Sequence, residues 1–101
     1  MAHNNYLSGE MMYEYVSHVL ANYFSINSEL SEEEAIADLR KHFFVNAILK
    51  KEIYSDLRQA LNDDSFSWKD ALQRYDVFHF ENENEARSYV VKTIWEPLFG
   101  E

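Results

Sequence analysis

The chain has no cysteine, only two glycines and one proline, and half as many basic residues as acidic ones. The missing thiols exclude a disulfide scaffold, a thiolate metal centre, redox chemistry and a thiol nucleophile, and they suit a reducing compartment. With only Gly9 and Gly100, neither a phosphate-cradling P-loop nor a dinucleotide fingerprint can be built. So few turn-forming residues also argue against a many-stranded β architecture. No run approaches eighteen apolar residues, and Met1-Ala2-His3-Asn4-Asn5 lacks the positive and apolar regions of a signal peptide. The sequence therefore predicts a cytoplasmic chain that binds no membrane.

What is present is apolar and acidic. Its 101 residues are 47% hydrophobic and include 16 aromatics (Phe 7, Tyr 7, Trp 2), enough for one folded core without staples. The net charge is −9, from nine Lys plus Arg against eighteen Asp plus Glu. A broad basic surface for nucleic-acid phosphates is thereby excluded. The charge is unevenly distributed. Residues 1–39 hold Glu10, Glu14, Glu29, Glu32, Glu33, Glu34 and Asp38 with no Lys or Arg; residues 40–58 carry +3; the remainder returns to −5. A one-signed surface of this kind raises encounter rates with a basic protein, although acidity alone also serves solubility.

Apolar periodicity predicts an all-α single domain of about five helices with short connections, its first seven residues frayed and 97–101 a tail. The first helix spans Gly9 to Phe24 with Ser8 as cap and a stripe of Met12, Val16, Val19, Leu20 and Tyr23. Ser31-Glu32-Glu33-Glu34 is a capping box that opens a second helix, which turns Ala35, Ile36, Leu39 and Phe43 inward and ends near Phe44. Asn46 caps a third, Ala47 to Leu61, with Ile48, Leu49, Ile53, Leu57, Ala60 and Leu61 at helical spacing. Ser67 opens a short fourth helix, with Asp70 at its N3 position. Val77-Phe78-His79-Phe80 reads as a connector tucking both phenylalanines and His79 against the helices. Asn82 to Glu85 caps a fifth helix that Pro97 closes, pushing Glu96 out of helical geometry, while Leu98 and Phe99 pack back on the body.

Searching for chemistry gives little. Glu14/His18 and Asp38/His42 are i,i+4 acid–imidazole pairs that would have to converge to make an acid–base or metal site. There is no H-E-x-x-H motif, calcium loop or Gly-x-Ser-x-Gly elbow, and Ser8, Ser31 and Ser67 serve as caps. The reading is of a protein without catalytic residues, metal or cofactor. Its interaction candidates come from the charge map: Glu29, Glu32, Glu33, Glu34 and Asp38 first, then Asp63, Asp64, Asp70 and Asp76. Glu34 and Asp70 double as caps. Tyr13 lies off the Met12–Val16–Val19 stripe and Tyr54 beside the Ile53–Leu57 line, which makes them the leading surface aromatics for a partner.

The order of these features resembles a known family. Tyr23-Phe24 closing the first helix, Ser31-Glu-Glu-Glu-Ala-Ile36, the Leu49/Ile53/Leu57/Leu61 helix, Trp68-x-x-Ala-Leu72 and Glu85-Ala-Arg-x-Tyr-Val90 together look like the small helical immunity proteins of bacterial contact-dependent growth inhibition. The likeness covers residues 13–98, and it departs after Tyr23-Phe24, where Ser25-Ile26-Asn27 replaces an Asp-Trp-like element. The resemblance implies a monomer that binds a cognate toxin domain one-to-one in the cytoplasm, the toxin being a nuclease with an RNase favoured over a DNase. A basic phosphate-holding site on such a toxin would be attracted by a −9 domain. The alternative partner is a DNA-binding protein, captured by an acidic adaptor or nucleic-acid mimic.

Overall fold

The computed structural model describes residues 13–100, and every element among them is helical. Helix α1 (Glu14–Val19) continues into a π-helical turn, Leu20–Phe24, and a 3-10 turn, Ile26–Ser28, leads to α2 (Glu32–Val45). Next come α3 (Ala47–Leu61), α4 (Trp68–Arg74) and α5 (Glu83–Val90), and a second π turn, Val91–Trp95, runs directly into α6 (Glu96–Phe99). The all-α class predicted from the sequence is the class observed. The predicted Ser8 cap, the Gly9 start and the Met12 stripe position lie outside the described residues.

Four helix starts follow the sequence closely, because a side-chain oxygen satisfies an N–H that has no partner within the helix. Ser31 Oγ accepts from Glu34 N at 3.0 Å, and Glu34 Oε1 accepts from Ser31 N at 2.8 Å, closing the capping box. Asn46 Oδ1 accepts from Leu49 N at 3.0 Å, Ser67 Oγ from Asp70 N at 3.0 Å, and Asn82 Oδ1 from Glu85 N at 2.9 Å. The start of α1 is held differently. Tyr15 N donates to Asp56 Oδ2 on α3 at 2.9 Å, a cap supplied from 41 residues away.

The core joins Val16, Val19 and Leu20 of the first helical rod to Ala35, Leu39 and Phe43 of α2 and Ile53, Leu57 and Ala60 of α3. Trp68, Leu72, Ala86, Val90 and Ile94 complete it from α4, α5 and the second π turn. Helix α1 packs on α3, α2 on α3 and α6, and α4 on α5. An aromatic cluster closes one end, with Trp95 and Phe99 centroids 4.9 Å apart and Tyr54 5.2 Å from Trp95 and 5.1 Å from Phe99. Phe99 and Leu98 therefore do return to the body.

Several local expectations are corrected. Glu96 remains helical (φ −62, ψ −47) and the chain continues through Pro97. The π turn resets the hydrogen-bond register, so Pro97 falls in the opening turn of α6, where a missing N–H costs nothing. Gly100 (φ 72) then stops α6 in the left-handed region, its N–H donating to Glu96 O at 2.8 Å. Ile48 is exposed, because the inward line of α3 runs from half-buried Leu49 through buried Ile53, Leu57 and Ala60, and Ile48 stands one residue to its side. In the 77–80 connector, Phe80 is half-buried against Tyr89 at 5.3 Å, but Phe78 is 57% exposed and His79 faces solvent.

Candidate interaction surface

The first half of α2 and the turn before it gather the leading acidic candidates. Ser25 caps the 3-10 turn by accepting from Asn27 N at 3.1 Å. Ser28 Oγ donates to Tyr23 O at 3.2 Å and accepts from Leu30 N at 3.2 Å. Glu29 sits in the left-handed region (φ 62), which turns the chain into the Ser31 cap. The result is an exposed ridge of Glu29, Glu32, Glu33 and Glu34, with half-buried Asp38 one turn further along. Three acids in the first turn also complement the positive end of α2.

These carboxylates have unequal freedom. Glu34 is engaged by the capping box. Glu32 Oε2 accepts from Tyr89 Oη at 2.5 Å and so ties α2 to α5. Burial first, and then the bond and charge of Glu32, hold the Tyr89 hydroxyl far above its ordinary pKa. Glu29, Glu33 and Asp38 accept no hydrogen bond among the described residues; Glu29 and Glu33 face solvent, while half-buried Asp38 also acts on the nearby Tyr23 hydroxyl.

The second set of acids sits on other elements, with Asp76 alone bonded to the turn that precedes Glu29. Asp63 and Asp64 lie in the α3–α4 loop, where with Glu83 and Arg87 they border an open pocket of about 230 Å³. Asp63 is occupied in shaping that loop: Oδ1 accepts from Ser65 N at 2.9 Å and Ser65 Oγ at 2.6 Å, and Oδ2 accepts from Tyr13 Oη at 2.6 Å. The Ser65 hydroxyl, then Tyr13, then the Ser65 amide pull its carboxyl below the ordinary value. Asp70 is exposed in the first turn of α4, and Asp76 follows that helix in the left-handed region (φ 57), its carbonyl accepting from Ile26 N at 2.9 Å.

Neither aromatic candidate is a free surface anchor. Tyr13 is only 8% exposed, because the Asp63–Phe66 loop folds over it and Phe66 meets its ring edge-on at 5.3 Å. The bond to Asp63, reinforced by burial, raises the Tyr13 hydroxyl to about 12. Tyr54 is half-buried in the Trp95–Phe99 cluster.

The two acid–imidazole pairs do not form as pairs either. His18 Nδ1 lies 3.2 Å from Asn22 Nδ2, and His42 Nδ1 lies 2.6 Å from Tyr23 Oη. Both imidazoles flank the Tyr23 ring edge-on, at 6.0 and 5.9 Å, joining α1 to α2. Burial, with Asp38 nearby, raises the Tyr23 hydroxyl. Among the described residues no group of three His, Asp or Glu side chains could hold a metal ion, and no helix is long and apolar enough to cross a membrane.

Sequence reasoning missed two features. Glu83 is more than a first-turn acid: its carboxylate accepts from Ser67 Oγ and from Lys69 N, clamping α5 to α4. The other is an exposed apolar corner where α2 meets α3. Phe44 is 91%, Val45 77% and Ile48 73% exposed, which is unusual for side chains of this size. The available signal was that Phe44 and Val45 fall after the last inward residue of α2, Phe43. Comparisons with protein-family models, curated proteins and solved structures find no match for this chain.

Proposed function

We propose that this protein is an inhibitor that binds a basic toxin domain, in the manner of a small helical immunity protein, with the Glu29–Asp38 ridge as the surface that draws the toxin in. The observation that carries the reading is the ridge itself: Glu29 in the turn before α2 and Glu32, Glu33, Glu34 and Asp38 in its first half crowd one end of the helix, and no Lys or Arg occurs before Arg40. A nuclease must hold phosphate and so presents positive charge, and an acidic cover gains from long-range attraction as well as contact. The resemblance in helix order and motifs over 13–98 supports the same reading and favours a nuclease, an RNase before a DNase. Asp63 and Tyr13 take supporting roles, since they are bonded to each other, and Tyr54 does so because its ring is packed against Trp95.

The ridge can be tested without disturbing the fold, because three of its acids make no internal bond. Glu29→Gln, Glu33→Gln and Asp38→Asn together should slow association with the toxin domain by about tenfold at low salt and flatten its salt dependence. Unfolding stability should shift by less than about 1 kcal/mol, as befits surface positions. Stopped-flow association across a salt series checks this. An unchanged association rate would remove the ridge from the interface.

A further inference from the structure

A second surface, at the opposite end of α2, has the opposite electrostatic character. At about 1.5 Å per residue, Phe44 lies about 18 Å along α2 from Glu32 and about 9 Å from Asp38, the near end of the acidic ridge. From Leu39 to Lys51 there is no acidic residue, while Arg40, Lys41, Lys50 and Lys51 are present. Lys41 stands one turn before Phe44 and Val45, and Lys51 and Glu52 both stand one turn after Ile48, so the balance around the corner is positive but includes one carboxylate. Helix α3 begins here with no acid in its first turn, unlike α2, α4 and α5, so its positive end is left uncompensated beside the lysines.

The three exposed side chains present on the order of 300–400 Å² of apolar surface, the size of patch that marks interaction sites. Phe44 in particular contributes nothing to the core at 91% exposure, so its aromatic ring is available to an outside partner. The excess of positive charge, Lys41, Lys50 and Lys51 against Glu52, decides what that partner is. A second copy of this chain docked corner to corner would bring lysines against lysines and one uncompensated helix terminus against another. A basic protein would be repelled in the same way. An apolar segment flanked by Asp and Glu would bury Phe44, Val45 and Ile48, pair with Lys41 and Lys51, and place a carboxylate at the positive end of α3.

We infer that the Phe44–Val45–Ile48 corner is a docking site for an amphipathic acidic protein segment. The partner is therefore distinct in charge from the basic one proposed for the ridge, and the two surfaces can be tested separately.

The probe is a synthetic amphipathic helical peptide with leucines on one face and glutamates on the other, together with a counterpart in which lysines replace the glutamates. Binding is followed on the full chain by amide chemical-shift mapping and titration. The glutamate peptide should shift residues 41–51, bind at least about tenfold more tightly than the lysine peptide, and lose about tenfold in affinity to Phe44→Ala. Lys41→Glu with Lys51→Glu should abolish the preference between the peptides. The ridge variant Glu29→Gln, Glu33→Gln, Asp38→Asn should bind the glutamate peptide at least as well as the native chain. Absence of binding, equal affinity for both peptides, or shifts centred away from the corner would overturn the inference. So would self-association of the native chain that Phe44→Ala removes, since the occupant would then be a second copy.

Discussion

Leu39 and Phe44 lie five residues apart on the same helix, and truncating each should have opposite consequences. Leu39 has no solvent exposure and sits where α2 meets the rest of the core, whereas Phe44 is 91% exposed. Leu39→Ala removes fully packed atoms and leaves a cavity, which in comparable cores costs about 2.7–5 kcal/mol. A domain of this size holds only about 5–15 kcal/mol in total, so at least about a fifth of the stability should go. At about 4–8 °C per kcal/mol, a mid-range loss of about 3.5 kcal/mol corresponds to a Tm lower by about 14–28 °C. Phe44→Ala removes a larger side chain that touches little, and it should stay within about 0.5 kcal/mol of the native protein. Urea denaturation followed by circular dichroism at pH 7 measures both. If Phe44→Ala cost more than about 2 kcal/mol, or Leu39→Ala less than about 1, the division of α2 into a structural face and a displayed corner would be refuted.

Other consequences follow from single contacts. Ser31→Ala breaks the capping box at the base of the ridge and should cost about 1 kcal/mol by the same urea assay. Tyr13→Phe should destabilise the protein while leaving toxin association unchanged, and the loss should largely vanish in an Asp63→Asn background, a double-mutant cycle being the check. Alkali should unfold the chain through its tyrosines. Tyr13 is raised to about 12, and Tyr23 and Tyr89 are raised as well, so between about pH 10 and pH 12 the folded state retains protons that the unfolded state has released. Their contribution is complete below about pH 10 and lost as pH rises through that window, and Tyr13→Phe should soften the fall. Asp63, lowered by its donors, acts oppositely: its contribution is present above about pH 4 and lost as pH falls through the folded value. A pH series of melting temperatures resolves both limbs.

The local signals in the sequence were strong where chemistry is local. Ser31, Asn46, Ser67 and Asn82 each cap the helix assigned to them, because a capping oxygen and its amide are only three residues apart. The stripes through Leu39, Phe43, Ile53 and Leu57 were equally legible. Features that depend on distant segments were not. Tyr13 reads as off-stripe until a loop 50 residues later covers it, and the Asp56 cap of α1 and the Glu83 clamp on α4 have no local signature. Pro97 reads as a helix stop unless the π turn before it is known. In the candidate surface, the clustering of Glu29 to Asp38 was visible as charge, but the Tyr89 bond that occupies Glu32 was not. The apolar corner was hidden for a geometric reason: helical spacing says which residues share a face, not whether another helix covers that face.

The most direct test is co-expression with the product of the gene immediately upstream, which the inhibitor reading requires to encode a toxin domain, scored by growth and by co-purification of the pair. The account predicts that growth is restored and that a one-to-one complex is recovered, with the Glu29/Glu33/Asp38 variant protecting less well than the native chain. Continued growth arrest together with no recovered complex would contradict the inhibitor reading, and capture instead of a DNA-binding protein would establish the acidic mimic in its place.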